Sequence, residues 1–321
     1  MRNSIIAGLM AAVITIMLVL YFIPPVDDFN PDNLGWNGLS DLSSDLHLKR
    51  VKNLLGENLL LNPSNTTLLI IGPEEEFTEA EARVIRSFLE AGGSVILADD
   101  FGSGNSLLQL LGINVRFSGS LLVDPLFKER SMRFPRIRSL SKDMESIGVE
   151  ELVFNYATVI EGCVRPIGFS SYYSFLDLNL NGVRDKGEPK GPFAVACMVS
   201  IGRGRLFILS DPSIVINSML PFGDNLGFIK ALVGSRTVYL DESHWRPSLL
   251  AQAKDSLMVM VRFMSLPEIR YTMLVGAVFV IFRYRRVVKP RESEVEKVLM
   301  RNPTWDRELL VRLEREMRRE R

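Results

Sequence analysis

The residues whose types and spacing best suit chemistry form one run, Asp177-Leu-Asn179-Leu-Asn181-Gly182-Val183-Arg-Asp185-Lys-Gly-Glu188. It matches the calcium-loop pattern D-x-[DN]-x-[DN]-G-x₅-E at every position. Calcium takes six to eight hard oxygen ligands, at roughly 2.3–2.6 Å. Side chains at the first, third, fifth and ninth loop positions, a carbonyl at the seventh and a bidentate glutamate at the twelfth supply them. Here those are Asp177, Asn179, Asn181, Asp185, Val183 and Glu188, with Gly182 where the loop must turn sharply. The bland alternative is a solvated Asn-Gly turn. Three carboxylates in so short a run repel one another unless a cation sits among them. Pro189 and Pro192 break any following helix, so the run reads as a loop grafted on the rim of a sheet, not a helix–loop–helix sensor. Calcium is the expected cofactor, structural and weakly held, with a dissociation constant on the order of 10⁻⁴–10⁻³ M.

Two further groups carry acids. Asp241-Glu242-Ser243-His244 follows a predicted strand, at the end where α/β domains keep their ligands. It suits metal binding or acid–base work, or else a helix cap with loop hydrogen bonds. Asp99-Asp100-Phe-Gly102-Ser-Gly104-Asn105 ends another strand and opens a helix. Its glycines would let backbone amides reach a phosphate, but two adjacent aspartates argue against an anion, so a turn with a helix cap is expected. If Asp99, Asp100, Asp241, Glu242 and His244 meet in one pocket, a metal-assisted hydrolase becomes the reading. The chain has only two histidines and two cysteines, too few for zinc clusters. Cys163 and Cys197 can pair, or Cys197 can be a buried thiol. Asn65-Thr66-Thr67 is a glycosylation sequon. Lys+Arg and Asp+Glu are equal at 38 each, so charge gives no case for a nucleic-acid partner.

What must position these residues includes a membrane. Ser4 to Ile23 carries no charge, the length a helix needs to cross roughly 30 Å of hydrocarbon. A cleaved signal peptide is the rival, but Tyr21, Phe22, Pro24 and Pro25 offer no small-residue cleavage site. Tyr271 to Phe282 is a shorter apolar run, flanked by Arg270 and by the basic residues Arg283, Arg285, Arg286, Lys289 and Arg291. It reads as a second span, or as a core or surface helix. Arg2 before the first span and Asp27, Asp28 and Asp32 after it place the N-terminus in the cytoplasm by the positive-inside rule. The later basic run places the C-terminal tail there too. The expected organisation is an anchor at 1–25, an external domain at 26–266, a second span at 267–283 and a basic tail at 284–321. The tail reads as two helices, capped by Ser293 with Glu296 and by Asn302 before Pro303. Glu308/Arg312 and Glu314/Arg318 are spaced to pair along it. Such a tail suits a partner protein or anionic lipid, or is a solvated helix.

Between the spans the pattern is α/β. TLLIIG at 67–72 and SVILA at 94–98 are continuous apolar runs of the buried parallel type. A Thr78–Glu81 capping box and an apolar face of Ala82, Ile85, Phe88 and Leu89 predict a helix between them. Ala194–Ser200 and Arg205–Ser210 flank Gly202-Arg203-Gly204 as a hairpin. A helix from Asp224 to Val233 and a strand over Thr237–Leu240 follow. Residues 26–60 show only a poorly marked helical lead-in.

These runs, together with GRGRLFILSDPSIVINSML and TVYLDESHW, resemble an archaeal family of uncharacterised two-span membrane proteins. The external domain of that family is similar to class I glutamine amidotransferases. The resemblance implies a flavodoxin-like mixed sheet and a partner, with AAA-type ATPase systems the expected class. It does not imply amidotransferase chemistry, because neither Cys163 nor Cys197 sits on a glycine-flanked elbow. The expectation is a membrane-anchored binding or scaffold protein with a non-catalytic, calcium-stabilised external domain. The alternative is a surface hydrolase working through Asp241, Glu242 and His244.

Overall fold

The computed structural model describes residues 2–56, 62–287 and 294–319. The chain divides into two compact units, Met1–Lys254 and Asp255–Arg321.

The first unit is built on an eight-stranded mixed sheet. Its strands are β1 (Lys49–Val51), β2 (Thr66–Ile71), β3 (Ser94–Ala98), β4 (Ser139–Leu140), β5 (Pro166–Phe169), β6 (Ala194–Ile201), β7 (Gly204–Leu209) and β8 (Thr237–Asp241). The order across the sheet is β1-β8-β2-β3-β7-β6-β5-β4. The first five run parallel, and β6, β5 and β4 then pair antiparallel in turn. Strand alternation sorts the apolar runs onto two faces. Leu68, Ile70, Val95, Leu97, Leu206 and Ile208 pack with Ile85, Phe88 and Leu89 of the helix Glu79–Glu90. Leu69, Ile71, Ile96, Phe207 and Leu209 pack on the other face with Phe228, Ile229 and Leu232 of the helix Asn225–Val233. Both faces are thus covered, which is why β2 and β3 are buried throughout rather than on alternate residues.

The local signals placed these elements well. The Thr78 hydroxyl accepts from the Glu81 N–H while the Glu81 carboxylate accepts from the Thr78 N–H, as the capping box requires. The helix Asn225–Val233 stops at Gly234, which has φ +64°. Three strands of the sheet, β1, β4 and β5, had no sequence signal. β1 is an edge strand of only three residues paired to β8, inside the segment read as a helical lead-in. The lead-in helix itself is Ser40–Leu46, and residues 57–61 lie outside the described residues. Cys163 and Cys197 are joined as a disulfide. Asn65 is exposed, but Thr67 of its sequon is buried in β2.

The helix Arg2–Phe22 leads into this unit. Its stretch Ser4–Phe22 is long and apolar enough to cross a membrane, with a mean hydropathy of 2.6 and no residue buried. A signal sequence meets the same test.

The second unit holds the helices Pro267–Val287, Glu294–Arg301 and Arg307–Arg319. Leu249–Ser265 and Pro267–Arg283 pass the length and hydropathy test only together, bent by 74° at the break between them. The last helix begins at Arg307, four residues later than Pro303 would set it. Asp306 provides the cap, its side chain accepting from the Glu308 N–H at 2.8 Å. Arg307 lies 3.9 Å from Glu296. Lys289, Arg291 and Ser293 lie outside the described residues, and so does the side chain of Arg318.

Candidate functional site

The acidic loop hangs from a short antiparallel pair, Leu121–Val123 with Phe175–Asp177, so its first residue is fixed by strand pairing. Asp177 and Glu188 are both buried. Asp177 accepts from the Asn181 N–H at 3.1 Å and the Gly182 N–H at 2.9 Å. Asn179 Oδ1 accepts from the Asn181 N–H at 3.1 Å, and Asn181 Oδ1 from the Val183 N–H at 2.7 Å. Both amide groups donate to Asp185 Oδ2, at 2.7 and 2.9 Å. Glu188 closes the ring, taking the Leu178 and Asp185 N–H groups at 2.9 Å each. The residues read as side-chain ligands are therefore drawn together in one hydrogen-bonded turn. Val183, the expected carbonyl donor, sits in it with an exposed side chain. Among the described residues no lysine or arginine pairs with Asp177, Asp185 or Glu188. Among the same residues no three His, Cys, Asp or Glu side chains stand close enough to hold a metal by themselves. A cation here would need the two amide oxygens and a carbonyl as well. The donor set fits, because each oxygen already accepting one N–H keeps a second lone pair.

The five residues of the other candidate pocket fall into three bonded groups. In the first, His244 is buried and stacked on Phe77, with ring centroids 3.7 Å apart. Its Nδ1 lies 2.6 Å from Asp241 Oδ2, and its Nε2 3.6 Å from Glu81 Oε2. Asp241 also accepts from the Ser243 N–H and hydroxyl. The His244 carbonyl accepts from the N–H groups of Glu74 and Glu75. This cluster ties the end of β8 to the start of the helix Glu79–Glu90. Burial works against ionisation of Glu81, but hydrogen bonds from Thr78 and the nearby His244 outweigh it and hold the carboxyl below its ordinary range.

In the second group, Glu242 pairs with Arg50, which also reaches Asp32. Burial raises the Glu242 carboxyl, partly offset by Arg50.

The third group is Asp99 and Asp100 at the end of β3. Asp99 accepts from the N–H groups of Asp100 (2.9 Å), Gly102 (3.0 Å) and Gly104 (2.7 Å). The glycines serve this close approach, not a phosphate. A Cβ on Gly102 would stand 2.4 Å from the Pro73 carbonyl and 2.5 Å from Asp99 Oδ1. Burial pushes Asp99 up to about 6 and raises Asp100 as well. Asp211, at the end of the neighbouring β7, belongs with them. It is fully buried, accepts from the Asn155 and Ser213 N–H groups, and is pushed by burial well above the ordinary carboxylate range, with Asp100 adding to the shift. The burial of Asp211 depends on Asn155, 56 positions away, and no local pattern announces that.

The fold and these groups define a three-layer α/β domain with acidic turns at the carboxyl ends of its parallel strands, in a chain that begins with an apolar helix. Residues 28–233 match the family described as a domain of unknown function, DUF4350, and the chain belongs to that family. Among solved structures, the "mmIFT52 N-terminal domain" is similar over 60% of this chain and 88% of its own, at 14% identity and a TM-score of 0.47. A beta-galactosidase from Bacillus circulans sp. alkalophilus is similar over 57% of this chain and 24% of its own, at 12% identity and a TM-score of 0.33. No curated protein matches.

Proposed function

We propose that the protein is a membrane-anchored binding or scaffold protein whose α/β domain stands outside the cytoplasm and is stabilised by calcium at Asp177–Glu188. The observation that carries the reading is the loop itself. Asp177 and Glu188 are shut away from water with backbone N–H donors and no basic partner among the described residues. Buried charges of one sign need a counter-charge, and a divalent cation bound by oxygens supplies it.

The external location is supported by the exposed apolar helix Ser4–Phe22 and by the Cys163–Cys197 disulfide, a bond that persists in oxidising compartments. Both termini then lie in the cytoplasm, with residues 267–283 as a second span beginning after the bend. The tail or the spans engage a partner, and AAA-type ATPase systems are the class the family resemblance suggests. The hydrolase reading has less support. Both ring nitrogens of His244 face carboxylates inside a buried cluster, and Glu242 is taken up by Arg50.

Calcium titration of the detergent-solubilised chain, read by thermal melting beside Asp177→Ala/Glu188→Ala, tests the proposal. A calcium-dependent rise in melting temperature that the variant lacks supports it. No rise up to several millimolar calcium sinks the metal site.

A further inference from the structure

Beside the acidic loop lies a cavity of about 530 Å³. That volume suits a small organic ligand, for which sites of roughly 300–1,000 Å³ are usual. Phe101, Tyr156, Leu121, Leu178 and Leu180 give it an apolar wall. Four of these, Phe101 (53%), Tyr156 (45%), Leu178 (57%) and Leu180 (63%), keep large exposed surfaces although they converge on one hollow. Scattered exposed apolar residues need no explanation, but a rimmed group of them marks a binding surface.

The backbone adds a second observation. Only four described non-glycine residues have positive φ, and two of them, Tyr156 (58°) and Leu180 (61°), line this cavity. Bulky side chains avoid that region, and residues held there cluster at ligand-binding positions. Tyr156 is held by its N–H donating to the Arg133 carbonyl at 2.9 Å, and Leu180 by the bonded turn around it.

The polar group in the wall sets the ligand's charge. Arg133 is half-buried, its guanidinium 5.5 Å from the Tyr156 ring centre and one nitrogen 3.4 Å from the Tyr156 hydroxyl. Among the described residues no carboxylate pairs with it. Its neighbours Arg136 and Arg138 both pair with Glu151, and Arg136 pairs with Glu129 as well. The acid in the wall, Asp177, accepts one N–H at each oxygen and, among the described residues, forms no ion pair with Arg133. A guanidinium fork left without a carboxylate partner matches a carboxylate in two-point geometry. One arginine near an aspartate does not supply the several donors that a phosphate dianion needs.

We propose that this cavity binds a small apolar molecule, aromatic or aliphatic, carrying a single carboxylate. The apolar part packs between Phe101, Tyr156, Leu178 and Leu180, and the carboxylate meets Arg133. The proposal does not rest on calcium occupying the loop.

The test uses the full chain in lipid nanodiscs, titrated calorimetrically with 4-phenylbutyrate and corrected against empty nanodiscs. Comparators are 4-phenylbutan-1-ol and 4-phenylbutylamine. The expected result is one saturable site for the acid, at least tenfold weaker binding of the alcohol and none of the amine. Arg133→Gln lowers affinity for the acid at least tenfold without changing the melting temperature. Leu178→Asp, at an exposed leucine whose replacement should not disturb folding, abolishes binding and decides the matter if Arg133→Gln does not fold. No saturable heat above empty nanodiscs overturns the proposal. Equal binding of acid and amine, or wild-type affinity in the folded variants, overturns it as well.

Discussion

Asp99 shows how a buried acid makes stability depend on pH. Its folded value of about 6 lies above the ordinary 3.8, so the folded protein holds that proton more tightly than the unfolded chain does. The contribution is fully present below about pH 4 and is lost as pH rises through about 6, to the order of 3 kcal/mol. Asp100 and Asp211 shift in the same direction. Glu81 shifts the other way and loses its contribution as pH falls through its lowered value. Denaturant titrations of the solubilised protein should therefore show stability falling between pH 4.5 and 7.5. A rise across that window would contradict the burial of these carboxyls. The calcium loop makes its own prediction at this scale. At ten times its dissociation constant, calcium adds about 1.4 kcal/mol, or roughly 3–6 °C in melting temperature for a domain of this size. Asp177→Ala/Glu188→Ala should show no such gain.

Among the elements, β3 and the helix before it depend on close packing at the turn. A Cβ on Gly93 would stand 2.4 Å from the ring of Phe88, which is wholly buried. Gly93→Ala should cost about 1–3 kcal/mol through overpacking, and Phe88→Ala about 3–5 kcal/mol through the cavity it leaves. Chemical denaturation of each variant checks both figures, and a change below 0.5 kcal/mol in either would refute this packing. Gly102→Ala should cost a similar 1–3 kcal/mol, because its methyl group would meet the Pro73 carbonyl and Asp99. The buried strands, the capped helix and the hairpin were legible because their causes are local: an unbroken apolar run, Thr78 three residues before Glu81, and Gly202 in the turn. β1 was not legible. A three-residue edge strand takes its conformation from β8, nearly two hundred residues away.

For the whole molecule, the Cys163–Cys197 bond closes a loop across a sequence separation of 34. In the chain-entropy picture that restraint is worth about 3–4 kcal/mol. A Cys163→Ala/Cys197→Ala variant, or full reduction, should lower the melting temperature by roughly 6–16 °C. An unchanged melting curve would mean that the bond does not form in the native protein. Deleting residues 2–22 together with residues 267–321 should move the protein from the membrane to the soluble fraction, whereas deleting residues 2–22 alone should leave it held by the second span. A mature chain that already begins beyond Phe22 would identify the helix as a signal sequence instead.

The sequence by itself determined what depends on neighbours along the chain. It marked the apolar helix near the N-terminus, the parallel strand–helix–strand unit and the twelve-residue loop, whose amide and carboxylate spacing brings its own side chains together. Tertiary structure alone decided which distant groups meet. Asp241 and His244 turned inward to Glu81 and Phe77, Glu242 turned away to Arg50, and Asp99 and Asp100 were joined by Asp211. It also placed Phe101, Tyr156 and Arg133 against the loop to form a cavity. Each of these contacts depends on how strands far apart in the chain are ordered in the sheet, and that order arises from burying both faces at once rather than from any local pattern.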